Sequence, residues 1–191
     1  METRPLLGEL RVRSRVLAGA AGTVAALAAG WPLANAALGA GPGREPLPAG
    51  RILTLGGVAA TASLTVGAGW TLDRSSSGRT RGYALARGGL DLRVDYVTPP
   101  GGPTAAELWE GLGRVLRVGD PGARLGAARP AGTAHGASGL TGTLVRKGRR
   151  GQATVLPAPD GSVAVEALAV GGDAAARAAA RRVVASIVFG T

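Results

Sequence analysis

From Val16 to Gly43 the chain carries no charged side chain, and Arg4, Arg11, Arg13 and Arg15 stand before that run. A helix rising about 1.5 Å per residue crosses the hydrocarbon layer of a bilayer in about 20 residues, so the run is long enough to span one. A globular helix would show a polar face, and this segment shows none. Basic residues before a span favour retention of that end in the cytoplasm, and Trp31 is suited to a headgroup boundary. The expectation is a single-pass topology with the N-terminus in and the C-terminus out.

Two readings of the segment remain open. Ala34-Asn35-Ala36, after Pro32, has the small-residue pattern of a signal-peptide cleavage site, which would release the remainder as a secreted protein. The apolar stretch nevertheless continues through Ala37, Leu38, Gly39 and Ala40, as an uncleaved anchor would. Either way the remainder is exported. The organisation expected is a basic cytoplasmic segment (1–15), an anchor or signal peptide (16–40), a proline-bearing linker (41–50) and an extracytoplasmic domain (51–191).

Within that domain the clearest element is Leu90–Val97, where Leu90, Leu92, Val94 and Tyr96 alternate with Asp91, Arg93 and Asp95. Such alternation marks a strand with one apolar face, and the charged face reads as solvated. Gly88-Gly89 before it suits the two positive-φ positions of a tight hairpin. Upstream, Ile52–Leu72 is uncharged, but threonine, serine and glycine dilute it. Strands are expected there, with a second membrane crossing as the alternative.

Thr104-Ala105-Ala106-Glu107 is a capping box, followed by Leu108, Trp109, Leu112, Val115 and Leu116 on one helical face, with Glu110 and Arg114 paired on another. Asp120–Gly139 reads as a glycine- and proline-rich connection. Strands follow near Leu140–Val145, Gln152–Leu156 and Ser162–Val170. Asp173 then caps a last helix, with Ala176, Ala180, Val183, Val184 and Ile187 on its inner face and Gly190 at its end. The fold class expected is α+β, a mainly antiparallel sheet with two packed helices.

Charge and composition narrow the chemistry. The net charge of +10 comes almost wholly from arginines scattered along the chain, Lys147 being the only lysine, and aromatics make up 3% of residues. A nucleic-acid partner is not expected, because a continuous basic patch, and not a high pI, is the electrostatic footprint. There is no cysteine, which excludes disulfides, thiolate metal sites and a thiol nucleophile. Gly67-Ala68-Gly69 lacks the third glycine of a dinucleotide loop and opens no helix. His135, the only histidine, lies in a glycine-rich loop with Ser138 three residues on, a spacing that specifies no geometry. No catalytic residue, cofactor or metal site is assigned.

The one local cationic cluster is Arg146, Lys147, Arg149 and Arg150, in an expected turn. There it could contact anionic lipid or wall polymer, each cation contributing about 1 kcal/mol near such a surface. The functional expectation is a membrane-tethered accessory or interaction domain of the cell envelope, with the membrane and an envelope protein as partners. The alternatives are an exported hydrolase with a carboxylate site, and an anionic-surface binder working through that turn.

The run from Gly69-Trp70 through Gly82-Tyr83, Gly88-Gly89 and the alternating strand, then AELWEGL and RRVVASIVF, resembles exported, membrane-anchored proteins of actinobacteria. The order of elements is similar to the PsbP-like α/β/α fold of actinobacterial surface lipoproteins. Those carry a lipobox cysteine that this chain lacks, so lipid anchorage is not implied. The resemblance covers most of 51–191 and implies a fold, without active-site residues.

Overall fold

The computed structural model describes residues 43–58 and 60–190, so the anchor expected at 16–40 lies outside the described residues. No helix among the described residues is long and apolar enough to cross a membrane. The uncharged stretch Ile52–Leu72 is divided between strands β2 (Arg51–Gly56), β3 (Thr61–Val66) and the start of β4 (Thr71–Gly78). Strands β5 (Gly82–Arg87) and β6 (Leu90–Val97) precede helix α1 (Ala105–Gly119). After α1 come β9 (Ser138–Arg146), β10 (Arg149–Pro157), β11 (Ala164–Gly171) and helix α2 (Ala174–Ala185). Four short strands complete the set: β1 (Arg44–Pro46), β7 (Arg124–Leu125), β8 (Arg129–Gly132) and β12 (Val188–Gly190).

Every strand pairing is antiparallel. Nine strands form one sheet in the order β1-β4-β5-β6-β11-β10-β9-β7, with β8 also paired to β9, and β12-β3-β2 form a second. Helix α2 and the small sheet cover one face of the large sheet, burying Leu55, Leu64, Trp70, Leu92, Val94 and Ile187. Helix α1 covers the other, burying Leu112, Leu116, Leu144, Val155 and Leu168. The architecture is α+β, mainly antiparallel, with two helices, as the residue pattern implies.

Local signals account for the central elements. Gly88 and Gly89 have φ of 52° and 71° and join Arg87 to Leu90, which pair directly. The α1 capping box is complete: the Glu107 amide donates to Thr104 Oγ1 at 3.3 Å and the Thr104 amide to Glu107 Oε2 at 2.8 Å. Glu110 and Arg114 approach to 3.9 Å one turn apart. Trp109 packs beside the α1 core, its indole lying over Gly142, where a Cβ would stand 2.9 Å from Cζ2.

Other expectations need correction. Val115, placed by its spacing on the inner face of α1, is 39% exposed, because the sheet-facing arc is filled by Leu108, Leu112 and Leu116. The proline-bearing stretch 41–50 is not all linker, since β1 pairs with β4. The connection 120–139 contains β7 and β8, with Pro130 in β8, an edge strand paired on one side to β9, where a missing amide is tolerated. Helix α2 ends at Ala185, not near Gly190. Ser186 accepts from the Thr65 amide at 2.9 Å and donates to Val183 O at 2.7 Å, tying the helix end to β3 while β12 pairs with it.

Candidate ligand-binding cleft

Alternation along β9, β10 and β11 sorts their side chains between the two helical layers. Ala153, Val155 and Leu144 point toward α1. Thr141, Gln152 and Thr154 lie on the α2 side, Thr154 directly opposite Thr141 on one flank and Ala167 on the other. The Thr141 hydroxyl donates to Ala153 O at 2.9 Å, which uses its one proton. It therefore accepts from Gln152 Nε2 at 2.8 Å and from Thr154 Oγ1 at 2.9 Å. Buried polar groups are costly unless paired, and this network satisfies Thr154, which is nearly closed off from solvent. The Gln152 carbonyl oxygen remains an acceptor.

Above this floor α2 presents Ala180, Val184 and Ala185, and β11 presents Ala167 and Ala169. Side chains so small leave the space between sheet and helix unfilled, and a cleft of about 240 Å³ results, bounded also by Leu92, Ala131 and Arg181. A smaller hollow of about 120 Å³ adjoins it at Gln152 and Ala169, with Arg129, Thr143 and Arg177 around it. Arg129, Arg177 and Arg181 are all exposed. Arg177 donates to Gly172 O, and among the described residues none of the three forms an ion pair. No carboxylate lines either hollow.

The opposite face holds the carboxylates. Asp95 on β6 stands directly opposite Glu166 on β11, and Gly82 flanks Asp95 on the other side. Asp95 is 8% exposed, so the charged face of β6 is not solvated here as its alternation suggested, because the sheet continues on both sides of it and α1 packs on the same face. Arg93 Nε donates to Asp95 Oδ1 at 2.6 Å, while Asp95 Oδ2 is buried without a hydrogen bond. Burial pushes the Asp95 carboxyl above its ordinary range, and the Arg93 charge opposes that rise. Burial, with the negative charge of Asp95 adding to it, pushes Glu166 up to about 7. A group of this kind stays protonated where an ordinary glutamate would be ionised. Because Asp95 and Glu166 face α1, the sheet separates them from the cleft.

The basic turn is not a single patch. Arg146 and Arg149 pair across the turn and share the α1 face, whereas Arg150 pairs with Val145 and points the other way. Arg149 forms an ion pair with Asp91 at 2.7 Å and donates to Gly89 O and Val170 O. Arg146 is partly buried, and burial lowers its pKa against the opposing pull of Asp120 and Asp95. Lys147 occupies the left-handed position, φ 47°, and its amide donates to Asp120 Oδ2 at 2.7 Å. His135 is exposed in the β8–β9 turn, its amide donating to Thr133 Oγ1, and no group of three or more metal-ligating side chains occurs among the described residues.

Sequence reasoning missed both the cleft and the carboxylate pair. A usable signal existed for the pair: Glu166 is the one charge inside the apolar run Val163–Val170, which marks a strand covered on both faces.

This order of elements defines the class: an α+β domain with a PsbP-like fold. The solution structure of cyanobacterial PsbP (CyanoP) from a Synechocystis species is similar, with TM-score 0.50 and 13% identity over 79% of this chain and 98% of that one. At that identity the likeness concerns the fold alone. The sequence matches no family model and no curated protein.

Proposed function

We propose that residues 43–190 form a binding domain of the cell envelope, held at the outer face of the membrane by the uncharged segment 16–40 and working through the cleft beneath α2. The observation that carries this reading is the cleft itself. Apolar walls surround a polar floor whose hydroxyl donors are already engaged, and the cations stand at the rim. Ligand sites are typically concave, mostly apolar and furnished with a few fixed polar groups, and about 240 Å³ lies at the small end of their range. The titratable pair best suited to proton transfer faces away from this space, which favours binding over hydrolysis.

Small molecules extracted from the purified full chain and from an Ala169→Leu variant test the binding role, since Ala169 lines both hollows. Mass spectrometry should find at least one molecule with the wild type that is absent from the variant. Identical extracts would remove the reason to treat the cleft as a working site. The tether has its own test, made simple by the lack of cysteine. A Ser162→Cys variant, altered at an exposed turn, should react in intact cells with a membrane-impermeant maleimide. Labelling only after lysis would place the domain in the cytoplasm.

A further inference from the structure

We propose that the cleft takes a small amphiphilic anion, an acid group on a short apolar chain. This deepens the binding reading and rests on it. Arg129, Arg177 and Arg181 surround the two hollows and no acidic side chain lines them, so the local charge selects an anion and rejects a cation. Exposed arginines by themselves hold an ion weakly, because water and salt screen them. Useful affinity therefore needs a second contribution, and the half-buried walls formed by Ala131, Ala169, Val184 and Ala185 supply it by taking apolar surface out of water.

Other ligand classes fit less well. No aromatic ring lines either hollow, so a nucleobase would find no stacking partner. The Thr154 hydroxyl donates to Thr141 and the Thr141 hydroxyl to Ala153 O, leaving few donors for a neutral polyol. An acid at the rim with its chain laid over Ala169 and Val184 uses both halves of the site.

Isothermal titration of the full chain in neutral-lipid nanodiscs tests this, with empty discs as the blank and octanoate, octanol and acetate as probes. Octanoate should bind at least about tenfold more tightly than octanol, the ratio expected for one charge-assisted hydrogen bond, and at least about tenfold more tightly than acetate, which lacks six methylenes to bury. Its affinity should fall with added salt. In the triple variant Arg129→Gln, Arg177→Gln, Arg181→Gln the preference for octanoate over octanol should vanish while octanol binding persists. Equal binding of octanoate and octanol by the wild type would overturn the anion assignment, and so would a preference that survives the triple variant. Acetate binding as tightly as octanoate would overturn the apolar half. If Ala169→Leu alters the binding of no probe, the cleft reading itself fails, a result separable from the other three.

Discussion

Replacing Trp70 by alanine should cost about 3–5 kcal/mol of stability, the usual range for truncating a large buried aromatic. Trp70 is 1% exposed and sits just before β4, in the core shared by the small sheet, α2 and the large sheet. Its neighbours are mostly leucine, valine and alanine, and such small side chains cannot close over the hole left by an indole. Trp70→Phe should cost clearly less than Trp70→Ala. The Trp70 Nε1 is buried with no hydrogen-bond partner, so phenylalanine removes an unpaired donor as well as some contact area. Urea denaturation of both variants checks this. Equal losses for alanine and phenylalanine would mean that a phenyl ring recovers none of the contacts of the indole, and a negligible loss for alanine would mean that this core is not closed around Trp70.

How much of this was legible in the sequence depends on the range over which each element is determined. Leu90–Val97 is set by its own alternation and by the two glycines before it, and α1 by Thr104 and Glu107 three residues apart. Those signals are local, and they identify the elements correctly. Strands such as Arg44–Pro46 and Val188–Gly190 span three residues each, too few for any period to show, and exist because β4 and β3 offer them an edge. The charged face of β6 was misread for a related reason. Alternation tells which face of a strand is the more apolar, but the burial of the other face is decided by neighbours distant in sequence, here β11 and the α1 layer. The cleft was hidden for the same cause. It is a deficit of side-chain volume shared among Ala167, Ala169, Ala180 and Ala185, which one pairing register and one helix position bring together.

Stability should fall as pH rises from about 4.5 to about 7, and Glu166 should be the chief reason. In the unfolded chain its carboxyl titrates near the ordinary 4.5, whereas burial beside Asp95 pushes it up to about 7 in the folded protein. The native state therefore holds this proton more tightly, and wherever it binds more protons than the unfolded state, stability declines with increasing pH. The contribution is fully present below about pH 4.5 and lost by about pH 7. A separation of this size corresponds to about 3 kcal/mol as an upper figure, since Glu166 is only partly buried. Asp95, also raised by burial, acts in the same direction. Below about pH 4 the sign reverses. Glu107 and Asp160, held low by the backbone amides of Thr104 and Ser162, then lose their ionised forms. Stability should thus peak on the acid side of neutrality. Glu166→Gln isolates the cause, because the amide keeps nearly the same shape and does not titrate. The variant should match the wild type near pH 4.5 and exceed it by up to about 3 kcal/mol at pH 8. Denaturant midpoints at those two pH values decide the matter: a difference between the proteins that is the same at both would show that Glu166 ionises in the folded state as freely as in the unfolded chain.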